Sequence, residues 1–364
     1  MRALIKLFLV AVLAAAGFAA WQVYVPFAPP AGQTFVMLRS GYSTRRIAAE
    51  LKKAGIVRSE LAFRIWHIAR PKPPLKAGEY LFEKEATLPQ VYGRIARGDI
   101  YFHVVTIPEG YTMFDIAKAI EDAGLGSAAD FVHIAQTQTQ LISDLAPEAK
   151  SLEGYLFPNT YQFTRAQSLA DMAAAMVHEF RQVAQKIGLV TEVSPNGADA
   201  PVVGGPGVGG PGVGNPGVGD SGVAGDRLDM NTVVTMASIV EKETAAPEER
   251  PKVASVYYNR LAQRMALDAD PSVIYAELLQ GTYSGSLHHA DLAVNSPYNT
   301  YRFPGLPPGP IGNPGRSSLE AALHPETTKF LYFVSDANGH HRFATTLAEH
   351  DRNVAAYRRA LGLR

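Results

Sequence analysis

Cysteine is absent from the 364 residues, so disulfides, thiolate zinc sites, iron–sulfur clusters and cysteine nucleophiles are excluded. Neither sign of charge is in excess: 34 Lys and Arg balance 34 Asp and Glu. A protein that held nucleic acid by neutralising phosphates would carry a basic surplus, so nucleic acid is not an expected partner. Charged residues make up only 19% of the chain against 47% hydrophobic, which excludes a mainly disordered polymer. There is no Gly-x4-Gly-Lys phosphate loop and no Gly-x-Ser-x-Gly elbow. His288-His289, His340-His341, His324 and His350 lack His-x3-His or His-Glu-x2-His spacing, so neither a metal nor a cofactor is expected. At roughly 100–200 residues per domain, the length suggests two or three domains.

One long apolar run is present. Arg2 and Lys6 precede a stretch from Leu7 to Val25 that is interrupted only by Gln22 and closes with Trp21 and Tyr24. As a helix it nearly spans a hydrocarbon core of ~30 Å. The basic residues come first, and none follows until Arg39. A short N-terminus in the cytoplasm is therefore expected, with the bulk of the chain outside. A cleaved signal peptide is the alternative, because Ala14–Ala20 offers small-residue cleavage sites.

Beyond the linker Pro26–Gln33, the patterning predicts a strand (Thr34–Arg39), two helices (Ser43–Ala54 and Ser59–Ala69) and a strand (Ala77–Phe82). Ser43 and Ser59 are the expected N-caps. Gly41-Tyr42-Ser43 with Ile47, Leu51 and Gly55 recurs 69 residues later as Gly110-Tyr111-Thr112 with Ile116, Ile120 and Gly124, again after a strand (Tyr101–Ile107). Duplication and the commonness of a strand–turn–capped helix both account for this. The stretch 196–226 carries Gly-Pro-Gly-Val-Gly-like repeats with a period of five, which form neither a regular helix nor a central strand and read as a flexible insertion. Helices are expected at Asn231–Thr244, Glu248–Met265 and Leu347–Leu361. The last hundred residues are otherwise expected to mix short strands with Pro/Gly turns, including a buried strand in Thr328–Asp336.

In the helix over Asn231–Thr244, the residues Val233, Met236, Ala237 and Val240 centre an apolar face. Glu241 and Glu243 fall on its two flanks, about 160° apart, so they do not share one site side by side. A glutamate at the border of an apolar face can be desolvated and held protonated, as a general acid requires. Periodicity alone favours an ordinary amphipathic helix with solvated border charges. Polar–aromatic patches surround it: Glu153–Tyr161, Tyr258–Arg260, Asp270–Tyr275 and Asn295–Tyr301. Aromatic faces cover the C–H surfaces of pyranoses and amides bond hydroxyls, so such patches suit sugar, although packed tyrosines in proline-rich loops would read the same.

Several runs, in this order, resemble the MltG/YceG-like family of membrane-anchored endolytic murein transglycosylases. They are Lys76–Tyr80, Leu152–Pro158, Ala237–Thr244, Val253–Leu261, Asp270–Tyr275, Tyr298–Tyr301, Gly305–Ile311 and Leu331–Val334. Asn159 stands where the family usually has Asp. The resemblance implies an α+β fold with a single N-terminal transmembrane helix, a small LysM-like module and a larger mixed α+β catalytic domain. The implied layout is a cytoplasmic tip (1–6), an anchor (7–27), a LysM-like module (34–100) and a catalytic domain (101–195 and 227–364) carrying the insertion 196–226.

The resemblance also makes Glu243 the catalytic acid. Glu241, Glu153, Tyr155, Asn259, Arg260, Asp270, Tyr298, Asn299 and Tyr301 become supporting or substrate-binding residues. It implies cleavage between N-acetylmuramic acid and N-acetylglucosamine in nascent glycan strands, giving 1,6-anhydro ends without water. Peptidoglycan is then the substrate, the bacterial inner membrane the location, and peptidoglycan polymerases candidate partners. A hydrolytic muramidase and a non-catalytic wall-binding scaffold are the competing functions.

Overall fold

The structure, a computed structural model, describes residues 2–30, 32–69, 74–189 and 229–362. The stretch 196–226 lies outside the described residues. The architecture is mixed α+β, with twelve helices and six short strands among those residues, the strands joined as three separate two-stranded sheets. Two compact units are distinguished: Met1–Val104 with Gln162–Ser168, and Val105–Tyr161 with Leu169–Arg364.

The first unit opens with α1 (Arg2–Tyr24), 23 residues with no buried side chain, long and apolar enough to cross a membrane. There follow β1 (Thr34–Leu38), α2 (Thr44–Lys53), α3 (Glu60–Ile68), β2 (Gly78–Phe82) and α4 (Leu88–Arg97). β1 and β2 pair antiparallel from Thr34↔Phe82 to Leu38↔Gly78. The period-two alternation of β1 puts Val36 and Leu38 on the core side, against Ile47, Leu51, Phe63, Val91 and Ile95. Ser43 and Ser59 cap α2 and α3 as expected, each accepting from a backbone N–H three residues on. Buried Glu79 accepts from His103 Nε2 and Arg165 Nη1, both at 2.8 Å, which ties the returning segment to the unit.

β3 (His103–Thr106) and β4 (Thr160–Phe163) pair with each other, and the division between the units falls within both strands. The second unit continues with α5 (Met113–Asp122), α6 (Ala128–Thr137), α7 (Leu169–Lys186), α8 (Met230–Glu243) and α9 (Arg250–Ala262). It ends with α10 (Asp270–Gln280), α11 (Arg316–Leu323), β5 (Tyr332–Ser335), β6 (His341–Ala344) and α12 (Leu347–Ala360). The 69-residue recurrence is structural as well: β1–α2–α3 and β3–α5–α6 share a left-handed glycine (Gly41, Gly110) and a hydroxyl N-cap (Ser43, Thr112).

Three expectations are corrected. The last hundred residues hold two further helices, α10 and α11, because Pro271 sits in the first turn of α10, where its missing N–H costs nothing and its fixed φ starts the helix. β5 is half-buried along its length, not a buried strand, since among the described residues its only strand partner is β6. α8 has no solvated face over Val233–Val240: eight consecutive side chains are buried, so it is a central helix and not an amphipathic one.

Candidate active site

Asp229 caps α8 by accepting from Thr232 N at 2.9 Å, and the helix runs through the core of its unit to Glu243. The Ser238 hydroxyl donates to Thr235 O and accepts from Ile311 N at 3.0 Å, docking the proline-rich loop on the helix. Past Val240 the helix leaves the core, and its two glutamates go to different surroundings.

Glu241 is structural in its surroundings. Its side chain, 5% exposed, accepts from Arg250 Nη2 at 2.8 Å and from Gly315 N at 2.9 Å. Arg250 is also held by the Ser317 hydroxyl and lies 3.6 Å from Glu109. Each oxygen of the Glu241 carboxylate takes one of its two donors, Arg250 Nη2 and Gly315 N, whereas an amide has one accepting oxygen. We expect Glu241→Gln to lose one of the two contacts, to lower stability by about 2 kcal/mol, and to leave the activity per folded molecule unchanged. Denaturant titration beside an activity assay checks both halves.

Glu243 ends α8, is partly buried, and accepts a hydrogen bond from Tyr257, which α9 places in the core. Burial pushes its carboxyl up to about 7, and the nearby charge of Asp270 adds to that. The Tyr257 hydrogen bond and the Arg260 charge oppose the rise without cancelling it. The negative end of the α8 dipole also disfavours a carboxylate there. A carboxyl raised to about 7 keeps its proton in about half of the molecules at neutral pH, which is what a proton donor there requires. Because the Tyr257 hydroxyl stabilises the carboxylate, Tyr257→Phe is expected to raise the Glu243 pKa further. The alkaline limb of the pH–rate profile would move upward, which initial rates across pH 5–9 would read.

Around Glu243 the groups are held from several directions. Asp270, at the start of α10, accepts from the Tyr301 hydroxyl at 2.7 Å. Arg260 donates to Leu331 O at 2.7 Å, to Ala266 O and Leu267 O, and to Asp268, with its guanidinium 5.3 Å from the Tyr332 ring centre. Tyr301 and Phe303, 36% and 40% exposed, leave aromatic surface open in the same loop.

Other residues singled out in the sequence turn inward. The Asn259 amide donates to Thr328 O and Phe330 O, and the fully buried Asn299 amide donates to Leu292 O and Val294 O. Tyr155 is fully buried, with its ring 5.0 Å from that of Phe180 and its hydroxyl on Asn231. Tyr298 packs 5.1 Å from the Tyr275 ring, and burial pushes its hydroxyl up to about 12.

Glu153, 1% exposed, sits at the start of α5. It accepts from Met113 N at 3.0 and 2.9 Å, from Asn313 Nδ2 at 2.7 Å and from the Tyr275 hydroxyl. Burial outweighs these donors and pushes its carboxyl up to about 7. The next residue must be glycine: Gly154 has φ +88°, and a Cβ there would run into Pro310 and Val234.

Tyr257, Arg250, Tyr275 and Asn313 are partners that sequence reasoning did not single out. Tyr257 lies within Val253–Leu261 beside another tyrosine, with nothing local to say which one faces α8. Asn313 lies two residues beyond the run Gly305–Ile311. The histidines serve as bonding partners: His341 meets Glu249 at 2.7 Å and His288 meets Asp291 at 3.2 Å.

Residues 36–356 match the model of the YceG-like family. The chain is 32% identical over 338 residues to an endolytic murein transglycosylase of Bacillus subtilis, covering 88% of this chain and 84% of that protein. It is 29% identical over 357 residues to an endolytic murein transglycosylase of Streptococcus pneumoniae, covering 88% of this chain but 58% of that longer protein. Among solved structures, a yceG-like protein from Listeria monocytogenes matches with a TM-score of 0.52 at 29% identity, over 88% of this chain and 98% of that one.

Proposed function

Because the chain belongs to the YceG-like family, we propose that it is an endolytic lytic transglycosylase acting on peptidoglycan, with Glu243 as its single acid–base residue. The observation that carries this reading is a carboxyl raised to about 7 by burial at the C-terminal end of a buried helix. Protonated Glu243 gives its proton to the glycosidic oxygen between N-acetylmuramic acid and N-acetylglucosamine. That bond breaks, and N-acetylglucosamine leaves with a free hydroxyl. Glu243, now a carboxylate, takes the proton of the muramoyl C6 hydroxyl as that oxygen bonds to C1 and closes the 1,6-anhydro ring. Glu243 is reprotonated by the second step, so no water is consumed and no separate base is needed.

Asp270, oriented by Tyr301, places negative charge beside the positive charge that develops at C1. Arg260, Tyr301 and the neighbouring aromatic surface hold the sugars. Glu241, Glu153, Tyr155, Asn259, Tyr298 and Asn299 support the frame that positions them.

One observation favours a second reading. Asp270 lies close enough to Glu243 to raise its pKa, and a second carboxylate able to activate water would make the protein a hydrolytic muramidase. Mass spectrometry of muropeptides released from purified sacculi separates the two. Anhydro ends, lighter by one water than reducing ends, are expected, and reducing ends alone would overturn the assignment.

The 23 residues of α1 extend about 34 Å as a helix, enough for a retained single-pass anchor with its N-terminus in the cytoplasm. This anchor would hold the active site on the outer side of the inner membrane, among nascent glycan strands and the polymerases that make them. The β1–α2–α3–β2 segment, as a LysM-like module, would hold glycan.

A further inference from the structure

We propose that the outward face of α3 is a lipid-binding surface, with Leu61, Ile65 and Ile68 inserted into the bilayer surface where α1 leaves it. This rests on the reading of α1 as a retained anchor. α3 is apolar on two opposite sides. Phe63 is fully buried in the core of its unit, while Leu61, Ile65 and Ile68 are 61%, 56% and 67% exposed. Their spacing of four and then three residues gathers them within about 60° of the helix circumference, roughly opposite Phe63. Burial in the fold does not account for that stripe.

The surroundings of α3 say what covers it. Tyr24, in the last turn of α1, meets Trp66 of α3 edge-on with ring centres 6.0 Å apart. Arg58, two residues before α3, stacks on both Trp21 and Phe27 at 4.6 and 4.7 Å. Its guanidinium donates to Val25 O and to Pro26 O, the latter at 2.8 Å. Phe27 and Ala86 then exchange backbone hydrogen bonds of 3.0 and 3.2 Å. These contacts hold the end of α1 against the rest of its unit, so α3 is fixed against the final turn of the anchor.

Trp21 and Tyr24 are the side chains that mark a membrane–water interface. α3 therefore lies at the level of the headgroups, within about one helix diameter of the anchor. A helix in that position buries its apolar face to a depth of about 5–10 Å, and exposed Arg64 on the flank of the stripe is placed for headgroup phosphates. A protein partner on this face would have to occupy space that the bilayer around α1 already fills.

The absence of native cysteine makes the test direct. Single cysteines at Ile65, at Val12 within α1 and at exposed Lys53 on α2 are labelled with an environment-sensitive fluorophore. The full chain is then reconstituted in phosphatidylethanolamine–phosphatidylglycerol vesicles carrying doxyl-lipid quenchers. The label of Ile65→Cys is expected to be blue-shifted and quenched several-fold more than that of Lys53→Cys, with Val12→Cys quenched by deep doxyl groups. If Val12→Cys is quenched while Ile65→Cys behaves like Lys53→Cys, the lipid surface is refuted and the anchor stands. If Val12→Cys is unquenched, the anchor reading fails and takes this inference with it. A blue shift at Ile65→Cys that follows protein concentration without lipid quenching assigns the face to a second copy of the chain, which also overturns the proposal.

Discussion

Glu243→Gln protein is expected to fold normally yet release anhydro-muropeptides from purified sacculi at least about 100-fold more slowly than the parent chain, the scale of a lost general acid. Glutamine reproduces the shape of the protonated side chain and still accepts the Tyr257 hydrogen bond. It has no proton to give to a leaving glycosidic oxygen. The parent chain supplies a second readout. With the Glu243 carboxyl raised to about 7 by burial, the donor form predominates below that pH and is depleted above it. Activity should therefore fall as pH rises through about 7, on a limb that Glu243→Gln lacks. Undiminished release by Glu243→Gln would move the acid elsewhere, whereas binding of sacculi without release by either protein would make the chain a scaffold.

The pair of candidate glutamates was legible in the sequence for a limited reason. Periodicity placed Glu241 and Glu243 on opposite flanks of one helix, and the structure sends them to different partners, Arg250 with Gly315 N and Tyr257 with Asp270 nearby. Which of the two is the acid was not legible from spacing. It depends on whether the opposing group is a guanidinium or a phenol, and those groups come from residues 9 and 14 positions further on.

Local signals fared similarly at other positions. Hydroxyl caps and left-handed glycines are read within a few residues, so Ser43, Ser59 and Thr112 mark their helices correctly. Asp270-Pro271 is ambiguous at that range, since the same dipeptide opens a turn or the first turn of a helix, and α10 was missed. Asn259 and Asn299 show the same limit for side chains. An amide suited to sugar hydroxyls is equally suited to loop carbonyls, and only the tertiary fold brings Thr328, Phe330, Leu292 and Val294 to them.

Glu153 should control the stability of the second unit, a role separate from the chemistry proposed for Glu243. Removing its carboxyl in Glu153→Ala orphans three buried donors, the Met113 N–H, the Asn313 amide and the Tyr275 hydroxyl. At about 1–3 kcal/mol for each unsatisfied group, a loss of roughly 4 kcal/mol relative to the parent is expected near pH 5, and a smaller one near pH 8, where the parent has itself lost stability. Glu153→Gln should act differently, and the sign follows from linkage. The folded carboxyl, at about 7, holds a proton between pH 4.5 and 7 that the unfolded chain has released. Its contribution to stability is complete below about pH 4.5 and is lost as pH rises through about 7, by up to about 3 kcal/mol. Glutamine mimics the protonated form and does not titrate. Compared in the Glu243→Gln background, so that the other raised carboxyl is removed, Glu153→Gln should match its parent near pH 5 and exceed it near pH 8. Denaturant unfolding at the two pH values reads the difference. An equal gap at both would mean that the buried carboxyl stays ionised, held by its three donors against the cost of burial.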